Sequence, residues 1–184
     1  MKRILACLLV ALSTSAIAAI NPVTVPSKLD AKWQAKTRAM LEQAIEIPTV
    51  MKRGNMLKMT ELVANELKAA GIPADDIKVL EHEGLPGDKT ATLIARWRAD
   101  KPTKKPMLIL GHMDVVEAKR EDWTFDPFEF REQDGYFLGR GTADMKTGIV
   151  ATTLALTLIC AAGSYYVVER PILRFKDWRR RRAD

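Results

Sequence analysis

The sequence predicts an α/β fold, a mixed sheet with helices on both faces, on three observations. Two segments with helical period, 28–46 and 56–70, precede two with the alternation of strands, Asp76–Glu83 and Thr90–Arg98. A short apolar run, Pro106–Leu110, stops at Gly111, as a buried strand does, and a further helical pattern begins near Asp144. The chemistry-bearing side chains fall at the ends of these elements. His112 and Asp114 follow the apolar run, and Asp144 opens the last helix. An open α/β sheet delivers its ligand-binding groups there, at the carboxyl ends of its strands.

Taken in order, residues 1–18 read as a secretory signal peptide. Lys2-Arg3 precede an apolar run from Ile4 to Leu12, and Ala16-Ile17-Ala18 form a cleavage site. The apolar run is too short to span a bilayer. The expected mature chain starts at Ala19 or Ile20 and is exported, to the periplasm or outside the cell. Residues 19–27 are a Pro-containing linker. The first helix places Trp33, Thr37, Met40, Leu41, Ala44 and Ile45 on one face, and Pro48 marks its end. The second starts after Asn55, a plausible N-cap, and lines its buried side with Met56, Met59, Leu62, Val63, Leu67 and Ala70. Gly71 and Pro73 close it.

Gly84–Gly87 is the turn between the first two strands. In the second strand, Ala91, Leu93, Ala95 and Trp97 alternate with Thr92, Ile94, Arg96 and Arg98. His82 lies between two glutamates and is expected to face solvent. Trp123, Phe125, Phe128 and Phe130 are expected to pack their loop over the sheet, and Asp134-Gly135 is a hairpin signal. Gly139 and Gly141 allow close backbone approach, and Thr142 is a candidate helix cap.

The formal charge of +6 resides at the two ends. Lys2 and Arg3 supply +2, and Glu169–Asp184, with seven basic and three acidic residues, supplies the other +4. The body is neutral, so the basic balance gives no reason to expect a nucleic-acid partner. Cys7 lies in the leader and Cys160 stands alone, which leaves no intramolecular disulfide after processing.

His and Asp are both zinc ligands, and a carboxylate two residues past the His can hold the imidazole in the right tautomer. His112-Met113-Asp114, followed by Gly139-Arg140-Gly141-Thr142-Ala143-Asp144-Met145-Lys146, resembles the zinc amidohydrolases that include acetylornithine deacetylase, succinyl-diaminopimelate desuccinylase, aminoacylase and glutamate carboxypeptidase. Trp123–Phe128 and Asp134–Arg140 match the same pattern. The resemblance covers 28–158. It implies a zinc-peptidase catalytic domain acting on a peptide or N-acyl amino acid, with His112 on one zinc, Asp144 bridging two, and Asp114 as the catalytic residue that orients His112.

Beyond 158 the pattern changes. The segment 160–182, with Ser164-Tyr-Tyr-Val-Val-Glu-Arg-Pro at its heart, resembles the end of sugar-modifying membrane acyltransferases. Residues 159–184 are therefore expected to be a foreign apolar and basic segment, with membrane association through 149–182. The Glu-Glu pair that supplies a base and a ligand in the zinc family is replaced at its expected place by Lys176–Arg182. The resulting expectation is a truncated domain: the N-terminal fragment of an exported metallopeptidase, inactive as it stands and holding at most one zinc, weakly. The alternative is a non-catalytic, membrane-attached fusion fragment.

Overall fold

A computed structural model describes residues 30–99, 101–164 and 166. The leader, the linker and most of the segment read as acyltransferase-like lie outside the described residues.

Helix α1 (Ala31–Ile45) is capped by Asp30, whose carboxylate accepts from the Lys32 N–H at 2.9 Å. Its apolar stripe buries Met40, Leu41, Ala44 and Ile45, the C-terminal part of the face expected from the sequence. Helix α2 (Met56–Ala69) begins after Asn55, but that side chain does not cap it. Asn55 Nδ2 instead donates to the Pro48 carbonyl at 3.0 Å, tying the α1–α2 connector to the start of α2. Helix α2 buries Met59, Val63 and Leu67, and Gly71, at φ +96°, ends it.

Strands β1 (Ile77–Glu83) and β2 (Lys89–Ala95) form an antiparallel hairpin in which Ile77 pairs with Ala95 and Glu83 with Lys89. Ala91 and Leu93 face the helices while Thr92 and Ile94 face outward, as the alternation predicts. The strand stops at Ala95, short of Trp97, which is exposed. A second hairpin, β3 (Arg131–Gln133) with β4 (Tyr136–Leu138), turns at Asp134-Gly135, where both residues have positive φ. Phe125 and Phe130 are buried beneath this region, with Trp123 set edge-on to Phe125 at 5.5 Å.

Helix α3 (Lys146–Ser164) packs on α1 and α2 through Val150 and Leu154. Thr153 and Thr157 are buried on the same face. Each donates its hydroxyl to the carbonyl four residues earlier, so burial leaves neither unsatisfied. This is the one helix among the described residues long and apolar enough to cross a membrane, over Lys146–Gly163.

The run expected to be the central buried strand behaves otherwise. Met107, Leu108, Ile109 and Leu110 are 85, 78, 58 and 79% exposed and join no ladder. A continuous apolar run fits a strand covered on both faces, and such a strand exists only between neighbours that pair with it. Among the described residues none pairs with 107–110, and β2 has a partner on one edge only. Both sheets here are antiparallel pairs, so the α/β class stands, whereas a mixed sheet with helices on both faces is not seen among these residues.

Candidate metal centre

Two turns meet at the site. The first, Gly111–Val115, is held by the α1–α2 connector. Thr49 Oγ1 donates to the Met113 carbonyl at 2.5 Å, and the Val115 N–H donates to the Thr49 carbonyl at 3.2 Å. The second, Gly139–Lys146, leads into α3. A Cβ on Gly139 would stand 2.7 Å from Ile45 Cγ2, and one on Gly141 would stand 2.9 Å from Val115 Cγ1. Both glycines also have positive φ, so the close approach expected of them is a steric requirement. Thr142 does not cap α3 with its side chain. Its hydroxyl donates to the Gly139 carbonyl, and the Lys146 N–H reaches the Gly141 carbonyl at 2.9 Å.

The three residues singled out in the sequence are brought together. His112 Nε2 is 3.0 Å from Asp144 Oδ1, and His112 Nδ1 is 3.2 Å from Asp114 Oδ1. The His112 N–H faces Met145 Sδ at 3.5 Å. All three side chains remain open to solvent. Partial desolvation works to lower the His112 pKa, but the contacts to Asp144 and Asp114 outweigh it, and the net shift is upward. Beside the turn, a cleft of about 860 Å³ lies between β2 and the segment 111–117, with Thr90, Leu93, His112, Asp114 and Glu117 among its walls. His82, read as solvent-facing, is exposed but also lines this cleft.

The donor set suits a zinc ion. Two ligands at ordinary zinc bond lengths on a tetrahedral ion lie about 3.3 Å apart, close to the spacing between His112 Nε2 and Asp144 Oδ1. Asp114, on the far ring nitrogen, stands where a second carboxylate fixes the tautomer of a ligating imidazole. Among the described residues no group of three or more His, Cys, Asp or Glu side chains converges, so the set offers half of a closed coordination sphere.

One residue had no role assigned from the sequence. Lys146 is fully buried, and its Nζ donates to the carbonyls of Ala44 at 2.7 Å and Ile47 at 2.6 Å. Burial pushes its pKa down to about 8. Its place two residues after Asp144 was the available signal, but nothing in the sequence says that a lysine in that motif turns inward.

Comparison with known proteins finds similarity over much of the chain. The family model for peptidase family M20/M25/M40 matches residues 108–168. A probable succinyl-diaminopimelate desuccinylase of Staphylococcus epidermidis is 46% identical over 70 residues, covering 38% of this chain and 16% of that protein. The human N-fatty-acyl-amino acid synthase/hydrolase PM20D1 is 29% identical over 138 residues, covering 73% of this chain and 27% of the relative. Among solved structures, human carnosine dipeptidase 1 superposes with a TM-score of 0.61 at 25% identity, covering 70% of this chain and 29% of that one. The dipeptidase Dug1p of Saccharomyces cerevisiae gives a TM-score of 0.55 at 25% identity. The chain thus spans less than a third of each of these proteins.

Proposed function

We propose, from the premise that the chain belongs over residues 108–168 to peptidase family M20/M25/M40, that it is the N-terminal part of an exported, zinc-dependent amidohydrolase. Its substrate class is an amide made by an amino acid, either a peptide or an N-acyl amino acid. The names of the relatives, a desuccinylase, an N-fatty-acyl-amino acid hydrolase and two dipeptidases, share that bond. The observation that carries the reading is the 3.0 Å approach of His112 Nε2 to Asp144 Oδ1, with Asp114 behind the ring.

His112 and Asp144 are the residues that would hold zinc. Bound zinc supplies Lewis-acid polarisation of a carbonyl and lowers the pKa of water. With zinc bound, the chain's own part would be to turn a deprotonated Nε2 toward the metal beside Asp144. Asp114 does this by accepting from the Nδ1–H, which fixes the tautomer. Hydrolysis also needs a carboxylate to take up a proton, and no third acidic side chain joins the pair among the described residues. From the described residues we therefore expect at most one zinc, weakly bound, and no turnover of substrate.

The test is the purified polypeptide with added zinc, assayed against dipeptides and N-acetyl amino acids, with metal counted by atomic absorption. The expected result is up to one zinc per chain, lost in His112→Ala, without turnover. Turnover that vanishes in His112→Ala would overturn the proposed inactivity. Zinc binding that survives His112→Ala would overturn the site.

A second reading, a non-catalytic membrane-attached fragment, draws on the length and apolarity of α3. The burial of Val150, Thr153, Leu154 and Thr157 against α1 and α2 favours α3 as a core helix instead. Release from membranes in a carbonate wash would eliminate the spanning form.

A further inference from the structure

The two turns of the site share one support, the last turn of α1 and the connector after it, residues 44–49. The Asp144 turn is attached through Lys146, whose buried ammonium crosses to the carbonyls of Ala44 and Ile47. The His112 turn is attached through Thr49, which is buried and makes two bonds, Oγ1 to the Met113 carbonyl and its own carbonyl to the Val115 N–H. The connector is itself pinned, because Asn55 Nδ2 holds the Pro48 carbonyl. Ile45 fills the space over Gly139, so the same stretch also sets how far the second turn can sink.

We infer that residues 44–49 act as a bracket that sets the spacing between His112 and Asp144, with Thr49 and Lys146 as positioning residues for the metal pair. Neither residue touches the pair's ligand atoms. Each holds the backbone within two residues of a ligand, since Met113 follows His112 and Lys146 lies two beyond Asp144. The carbonyls at the end of α1 carry the negative end of the helix dipole, which suits a buried cation. A metal site needs its ligands held to within a fraction of an ångström by such supporting bonds, and losing one commonly weakens metal binding about ten- to hundredfold. The inference takes its functional meaning from the proposed zinc site, but the geometry of the bracket can be tested without metal.

The experiment compares the full chain with Thr49→Val, Thr49→Ser, Lys146→Met and Leu154→Ala. Leu154 is buried in α3 but takes no part in either turn, so its truncation reports general loss of packing. Two quantities are read: the zinc Kd by calorimetry, and the nuclear Overhauser contact between the His112 ring and the Asp144 β-protons without metal. Thr49→Val and Lys146→Met should each lose the contact and weaken zinc binding about ten- to hundredfold. Thr49→Ser, which keeps the hydroxyl donor, should restore both. Leu154→Ala should lower Tm and keep both. The bracket is overturned if Thr49→Val and Lys146→Met retain the contact, or if Leu154→Ala loses it to the same degree. If the parent chain binds no zinc, the metal reading fails, and the nuclear Overhauser result alone decides the bracket. Should Lys146→Met not fold, the Thr49 pair decides it.

Discussion

His112 Nε2 and Asp144 Oδ1 stand 3.0 Å apart although 32 positions separate them in the chain. That contact, with Asp114 on the opposite ring nitrogen, shifts the His112 titration upward in the absence of metal.

The titration of His112 follows. Its pKa is raised in the folded chain, so its contribution to stability is complete below the unfolded value of 6.5 and is lost as pH rises through the folded pKa. A proton-detected titration should place His112 above 6.5, and Asp144→Asn should bring it down. Zinc competes for the same nitrogen, so apparent zinc affinity should fall as pH drops through that pKa. A His112 titration unchanged in Asp144→Asn would show that the 3.0 Å contact does not form in solution.

Lys146 gives the opposite pH dependence. Burial lowers its pKa from 10.5 to about 8, so between those values the unfolded chain binds the extra proton. Its contribution is present above 10.5 and is lost as pH falls through about 8. Chemical-denaturation midpoints should therefore rise from pH 8 toward pH 10 relative to Lys146→Met, which has no such group. Parallel pH profiles for the two proteins would mean that Lys146 is not buried as described.

Leu154 tests the docking of α3. It is 4% exposed and packs in the core shared with α1 and α2. Leu154→Ala should cost about 2–5 kcal/mol in urea unfolding. A cost near zero would indicate that this face of α3 has another environment, such as lipid.

The exported form is expected to begin at Ala19 or Ile20, because an Ala-Ile-Ala site follows a short apolar stretch. N-terminal sequencing of protein recovered from the producing cell is the check, and retention of Met1 would remove the export proposal.

The sequence by itself determined the local structure and singled out the candidate site residues. The glycines that permit close approach and the Asp134-Gly135 turn are readable because residue type and near-neighbour spacing dictate them, while the His112, Asp114 and Asp144 set is readable from their places at element ends together with the family resemblance. The three helices and the β1 and β2 strands follow from periodicity, and the second hairpin from its turn residues. The tertiary structure decided what depends on partners distant in the chain. The run Met107–Leu110 reads as a buried strand, yet it lies exposed where no described strand pairs with it. Asn55 reads as a cap and Lys146 carries no assigned role, yet both turn toward carbonyls of the α1–α2 region. Composition states which environment a segment suits, but burial and hydrogen bonding are properties of pairs, and half of each pair lies elsewhere in the chain.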